Sequence, residues 1–275
     1  MPFGAALLAL LFAKPDVVER RPLRPLPPAP VASVRILDGT LQRGDGKSWK
    51  SADREFRIAP GESLRTSGEG AALLMFPWMH IVVADDTVVG LTPSSVLSVS
   101  LGRGRIQEQS TAGDILKVIT AEAEVRGRGD VVVIRSDSPA QTRVSALRGW
   151  FRVKSRHGSL SLEGGQAAVV SADGGPELVE LPTPPTGLSP GSDPLYVVQG
   201  RSASLAWKGS ARRYRVQVLS LDGTEVVLSR EVEGTSQEVP GRGLGTYRWQ
   251  ASAIDDRGVE GAPSATPGLI CVVEK

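Results

Sequence analysis

Short apolar segments with a two-residue period dominate the chain between Val34 and Val170. Gly and Asp residues interrupt them about every ten positions, and no apolar stripe of helical period continues for three turns after residue 31. The segments are Val34–Leu37, Leu73–Phe76, Ile81–Ala84, Val96–Val99, Leu116–Ile119, Val131–Ile134, Phe151–Val153 and Ala168–Val170. This spacing predicts an all-β fold, built as a sandwich, a roll or a solenoid.

Length and charge limit the function classes. The 275 residues are enough for about two domains, each able to bury an apolar core without metal or disulfide support. The 32 basic and 30 acidic side chains nearly cancel, and the cations are scattered along the sequence, so we expect no nucleic-acid partner. The single cysteine, Cys271, excludes an intrachain disulfide and is expected to occupy a buried strand position.

The N-terminus indicates export. Residues 3–13 are apolar or small, which as a helix would cover only about half of a ~30 Å hydrocarbon core but suits the apolar region of a signal peptide. No basic residue lies within the first 13, which departs from a well-formed signal peptide. We therefore predict a signal-like segment over 1–13, a Pro-rich linker over 14–32, and a periplasmic or secreted location.

The order of strands and turns over about residues 33 to 171 resembles the FecR-type domain of bacterial envelope proteins. The matching elements are Pro60–Glu62, Leu64–Thr66, Gly90–Ser95, Leu101–Gly104, Thr120–Val125 with Gly127, Val144–Gly149 and Leu162–Gln166. The resemblance implies an extracytoplasmic β-domain, which we place at 33–181, built as a roll, a solenoid-like fold or a sandwich. Regulators of this family also carry an anti-sigma segment and a membrane span, and only thirteen residues precede the Pro-rich linker here. We therefore do not expect the sigma-factor mechanism to carry over.

A second change in composition separates another domain. Residues 181–191 contain four prolines and two glycines, which predicts a linker over 182–194. The pattern over 195–275 resembles a fibronectin type III-like sandwich, with strands around Ser204–Trp207, Tyr214–Val218 and Gly245–Asp256. Within these strands Trp207, Tyr214, Val216, Tyr247, Trp249 and Ala251 alternate with polar residues and are expected to fill the core.

Residues that could support catalysis are few. His80 and His157 are 77 positions apart, and neither has metal-ligand spacing to another candidate, so we predict no metal site and no cofactor. Asp85–Asp86 and Asp255–Asp256 are paired carboxylates, which are expected to lie in solvated turns. The three Gly-Arg-Gly tripeptides, at 102–104, 127–129 and 241–243, are also interpreted as turns.

Two aromatic segments are candidate contact sites. Residues 76–80 replace a polar hairpin turn with Phe76, Trp78 and Met79, which predicts an exposed apolar tip that contacts a partner or a membrane surface. In the second segment, strand alternation turns Phe151 and Val153 inward, which leaves Trp150 outward beside Arg152, able to stack on a sugar or a peptide.

Together these features predict a non-catalytic extracytoplasmic protein that binds a cell-envelope protein or polymer. Two alternatives stay open. One is a FecR-like regulator that passes a signal to a sigma factor or another membrane protein, and the other is a hydrolase with an unrecognised carboxylate site.

Overall fold

All regular elements in the described part of the chain are β-strands. The computed structural model describes residues 31–52, 55–94, 96–110, 115–223, 225–241 and 243–275. The signal-like segment 1–13 and all but the last two residues of the linker 14–32 lie outside these ranges. No helix in the described ranges has the length and hydropathy of a membrane span. The all-β prediction is confirmed.

Thirteen strands form one continuous sheet with a single large core. Leu64, Leu74, Ile81, Val133 and Phe151, drawn from strands distant in sequence, are each at most 1% exposed in that core. The hydrogen-bonded order is β13-β12-β10-β9-β8-β7-β5-β4-β1-β2, with β3 on β1, β6 on β4 and β7, and β11 on β10. The strands are β1 Ala32–Gly44, β2 Trp49–Ser51, β3 Glu55–Ile58, β4 Ser63–Phe76, β5 Met79–Val83, β6 Val88–Leu91, β7 Leu97–Ser110, β8 Leu116–Ile119, β9 Glu124–Asp137, β10 Ala140–Ser155, β11 Gly158–Glu163, β12 Gln166–Ser171 and β13 Pro176–Glu180. Because the inward residues share one core, the sheet folds around it, which is consistent with a β-roll or a β-sandwich.

Two of the predicted Gly-Arg-Gly turns are wrong. Residues 102–104 lie inside β7 and residues 127–129 lie inside β9. Gly129 and Gly149 face each other across β9 and β10 with φ of 124° and 87°, and a Cβ on either would come within 2.1 Å of a carbonyl oxygen on the opposite strand. These glycines, together with an adjacent bulge, bend two long strands without ending them.

The second domain is a two-sheet sandwich. One sheet has the order β14-β16-β19, and the other has the order β15-β22-β20-β17-β18 with β21 paired to β20. Trp207 lies between Tyr214 and Trp249 in the core, with ring centroids 5.4 Å and 6.2 Å apart. Tyr247, also predicted to be core, is half-buried. The strands are β14 Thr186–Ser189, β15 Leu195–Val198, β16 Ser202–Lys208, β17 Arg213–Ser220, β18 Val226–Glu233, β19 Ser236–Pro240, β20 Gly245–Ile254, β21 Glu260–Pro263 and β22 Gly268–Val273.

The predicted linker 182–194 needs correction, because part of it is a strand of the second domain. Thr186–Ser189 forms β14 and pairs with β16. The prolines at 184, 185 and 190 flank this strand and do not occupy it. β14 lies at the edge of its sheet.

The two domains pack against each other through the outward face of the large sheet. Leu73 and Val82 of the first domain contact Leu219 and Val226 of the second, and all four are at most 4% exposed. A second apolar cluster joins Val259 to Ala167 and Val169, with Val179 and Leu181 at its margin. The domains therefore share buried apolar surface at two places.

A buried ion-pair network lies in the same interface. Glu260, 1% exposed, accepts hydrogen bonds from Nε and Nη2 of Arg105, both at 2.6 Å. Nε of Arg215 lies 3.5 Å from the same carboxylate, and Nη1 of Arg215 lies 3.4 Å from Asp85. Nη2 of Arg105 also donates to Gln107 at 2.9 Å. One carboxylate of the second domain thus binds an arginine from each domain.

The charge of Glu260 is stabilised by its partners. Burial alone would raise the pKa of Glu260, but the charges of Arg105 and Arg215 and their hydrogen bonds outweigh burial and hold the pKa below its usual value. The network therefore contributes stability fully above the ordinary glutamate pKa, and that stability is lost as the pH falls through the lowered value.

We expect Glu260→Gln to lower the free energy of unfolding by roughly 3–5 kcal/mol, because two buried guanidinium groups lose their counter-charge. Glu233→Gln is the matched control, since Glu233 is 66% exposed and pairs with Arg212 at 3.2 Å. Its expected effect is below about 1 kcal/mol. Urea unfolding at pH 7 measures both variants, and equally small effects would contradict the role assigned to the network.

Candidate functional site

Trp150 lies on an exposed part of the large sheet, formed by β8, β9, β10 and β11. Its side chain is 45% exposed, whereas Phe151 and Val153 on the same strand are 1% and 0% exposed. The predicted outward position of Trp150 and inward position of its neighbours is confirmed. Arg152, also predicted at this site, is exposed beside it.

Strand register gathers ten outward side chains around Trp150, and we call them the Trp150 face. They carry five cations and two carboxylates, which gives a net charge of +3. The members are Lys117 of β8, Glu124, Arg126 and Arg128 of β9, Trp150, Arg152 and Lys154 of β10, and Ser159, Ser161 and Glu163 of β11.

Two cross-strand pairs of this face are chemically matched. Lys154 lies opposite Glu124, which also binds Lys117 through an ion pair of 2.7 Å. Arg128 lies opposite Trp150, with its guanidinium carbon 5.8 Å from the ring centroid, a cation–π contact. Opposite charges, or a cation and an aromatic ring, on facing positions of neighbouring strands attract each other and stabilise the sheet.

The cross-strand pair between these two brings together like charges. Arg126 lies directly opposite Arg152, and Lys117 lies opposite Arg126 on its other side. In the described ranges no carboxylate pairs with Arg126 or Arg152, and Arg152 donates only to the Ser159 hydroxyl at 3.2 Å. Like charges directly opposite each other destabilise a sheet, so this row costs stability that a bound anion would restore.

Sequence reasoning missed Lys117, Arg126 and Arg128. The available signal was the two-residue spacing of Arg126 and Arg128, which places both on one face of a strand. Gly127 and Gly129 hide that signal, because a Gly-Arg-Gly tripeptide is also typical of a turn. Lys117 joins the row only through pairing of β8 with β9, which the sequence alone does not reveal.

The expected exposure of Phe76 and Met79 is wrong. They are 3% and 2% exposed and form the last pair of the β4–β5 hairpin. The turn is only Pro77 and Trp78, so the alternation that directs Leu74 into the core continues to Phe76. Trp78 is half-buried and packs against the same core. This tip does not present the exposed apolar patch on which its predicted contact rested.

The other polar candidates lie in turns or on strands away from this face. His157 is in the β10–β11 turn, His80 is half-buried on β5, and Asp85 and Asp86 form a turn. Asp255 accepts a hydrogen bond from the backbone N–H of Val259 at 2.7 Å. No group of three or more His, Cys, Asp or Glu side chains in the described ranges could hold a metal ion.

Glu108 is a buried acid on the large sheet whose carboxyl group has no partner among the described residues. Its side chain is 0% exposed, and neither carboxylate oxygen has a hydrogen-bond partner. It lies on β7 opposite Ile81 and Val131, which are core residues. Burial, with a smaller contribution from the charge of Asp130, raises the pKa of Glu108 to about 9. The group is therefore neutral at pH 7.

No family model matches this chain, and no curated protein matches it either. Two crystal structures of a candidate anti-sigma factor from Parabacteroides distasonis ATCC 8503 each show 17% identity and a TM-score of 0.38, over 43% of this chain and 58% of that chain. The extracellular domain of a candidate one-component system from B. thetaiotaomicron shows 10% identity and a TM-score of 0.22, over 76% of this chain and 30% of that chain. This chain thus covers little more than half of the anti-sigma factor, and similarity at this level carries no functional argument.

The two tryptophans provide a paired test of these positions. We expect Trp78→Ala to lower the free energy of unfolding by about 2 kcal/mol or more, because the ring packs against the core. Trp150→Ala should change it by less than about 1 kcal/mol, since the ring is exposed and loses mainly its contact with Arg128. Thermal and urea unfolding measure both. A larger loss for Trp150→Ala than for Trp78→Ala would contradict the assignment.

The buried carboxyl group of Glu108 predicts a specific pH dependence of the free energy of unfolding. The folded-state pKa of Glu108 lies above the unfolded value, so its contribution to stability is complete at low pH and is lost as the pH rises. Relative to Glu108→Gln, the wild-type free energy of unfolding should fall by about 1.4 kcal/mol per pH unit between about pH 5 and pH 8. Glu238→Gln, at an exposed site, is the control. Parallel pH profiles for wild type and Glu108→Gln would refute this.

Proposed function

We propose that the chain is a non-catalytic extracytoplasmic protein that binds a cell-envelope protein or polymer through the Trp150 face. The observation that carries this proposal is the cationic row of Lys117, Arg126 and Arg152 beside the exposed ring of Trp150. Lys117 is paired with Glu124, but Arg126 and Arg152 have no carboxylate partner in the described ranges. A sheet surface that keeps two such arginines next to an exposed aromatic ring has the composition of a binding surface.

The second domain leaves this surface open. Near its beginning, β10 is covered by that domain, where Nε of Arg143 donates to the backbone carbonyl of Arg257. Beyond the bulge, the same strand directs Trp150, Arg152 and Lys154 to solvent. The first half of β10 therefore contacts the second domain, and its second half forms part of the candidate binding surface.

The proposed location and module types rest on the sequence. The apolar segment 3–13 followed by a Pro-rich stretch suits an exported protein. The resemblance of the first domain to FecR-type domains, and of the second to fibronectin type III-like modules, is compatible with a binding role outside the cytoplasm. The three-plus-six strand arrangement of the second domain is that of a β-sandwich.

Binding to isolated cell envelopes tests the proposal. Trp150→Ala combined with Arg152→Gln should reduce the sedimented fraction of purified protein at least about tenfold, since an aromatic anchor and a cation are both removed. The matched control is Tyr196→Ala combined with Arg201→Gln in the second domain. Tyr196 is 68% exposed, and Arg201 is exposed. Equal losses for both double variants would contradict binding through the Trp150 face.

Cell fractionation with N-terminal sequencing tests the location. A mature N-terminus near Lys14 in a periplasmic or secreted fraction supports the proposal. Recovery in the membrane fraction with the N-terminus retained would instead support the signalling alternative.

A further inference from the structure

We infer that the ligand of the Trp150 face is an acidic glycan, a sugar polymer that carries carboxylates at intervals and hydroxyl groups between them. This inference rests on the proposed function and specifies the chemical class of the ligand. It depends on three features of the face, namely the ring, the spacing of the cations, and the carboxylates and hydroxyls placed among them.

The ring of Trp150 provides an apolar platform. It stands 45% exposed on a rigid strand, and its contact with Arg128 restricts its orientation. The apolar C–H face of a sugar ring stacks on such an indole, and every unit of a glycan offers one, whereas the acidic residues of a peptide carry no ring. The exposed ring therefore favours a carbohydrate.

The cations are spaced to bind a carboxylate-bearing chain that runs across the strands. Lys117, Arg126 and Arg152 lie on three neighbouring strands in one register row. Adjacent strands are about 4.8 Å apart, so the row is about 10 Å long. Guanidinium groups bind carboxylates through paired hydrogen bonds. Lys117 already pairs with Glu124, whereas Arg126 and Arg152 have no competing carboxylate in the described ranges.

Negative and hydroxyl groups within the face limit the charge density of the ligand. Glu124 and Glu163 lie on either side of the cations, and Asp130, paired with Arg148 at 3.1 Å, lies at the boundary. A polyphosphate or a nucleic acid carries a negative charge on every unit, so some of its charges would lie against these carboxylates, which weakens the attraction of the face for it. A glycan with separated carboxylates can avoid them, since its hydroxyls can donate to Glu163 and accept from Ser161.

The experiment compares three polymers on the full chain by isothermal titration at about 0.15 M salt. Polygalacturonate is the acidic glycan, dextran the neutral glycan, and polyphosphate the denser polyanion. We expect polygalacturonate to bind at least about tenfold more tightly than either of the others, because only it offers both sugar rings and separated carboxylates.

Variants then locate the binding site. Trp150→Ala, and separately Arg126→Gln with Arg152→Gln, should each weaken polygalacturonate binding about tenfold. The controls Tyr196→Ala and Arg201→Gln should change it by less than about twofold. Thermal unfolding of every variant confirms that the fold is retained.

The outcomes separate this inference from the proposed function. Equal or tighter binding of polyphosphate or dextran overturns the acidic-glycan inference, while envelope binding that still depends on Trp150 keeps the proposed function. Polygalacturonate binding that the control variants weaken as much as Trp150→Ala overturns the site. Envelope binding and polygalacturonate binding that both survive the substitutions in the Trp150 face unchanged would overturn both proposals.

Discussion

The arrangement of the two domains depends on the buried carboxylate of Glu260 between Arg105 and Arg215. Desolvation of three charges is costly, and the cost is offset only where the charges meet in good geometry. The 2.6 Å hydrogen bonds from Arg105 meet that requirement, and apolar contacts around Val82 and Val259 exclude water nearby. Because such a network tolerates little displacement, it selects one docking geometry out of those that apolar contact alone would allow.

That geometry determines which surface stays open. The outward face of the large sheet is divided between a part covered by the second domain and a part that carries the Trp150 face. A bulge and a pair of facing glycines keep β9 and β10 continuous through the division, so both parts belong to the same rigid strands. A binding surface on paired strands is preorganised, so binding costs little conformational entropy.

The sequence predicts those features of the fold that depend only on residues close together in the chain. Alternation was enough to predict an all-β chain and the outward position of Trp150. The exposure predicted for Phe76 and Met79 is wrong, because the length of the β4–β5 turn depends on how far the two strands pair. The sequence suggests a five-residue tip over 76–80, whereas pairing leaves only two residues in the turn. The glycines of β7 and β9 predict turns by their local sequence, because glycine is common in turns and in β-bulges alike. Contacts such as Arg105 with Glu260, 155 positions apart, have no local signal.

The distance between the two domains in solution tests the central claim most directly. Spin labels at Asp173→Cys and Glu233→Cys, both exposed, in a Cys271→Ser background report that distance by pulsed electron resonance. We predict one narrow distance distribution that matches the structure and broadens when Glu260 is replaced by Gln. A broad or multiple distribution in the parent protein would contradict a single rigid body held by this network.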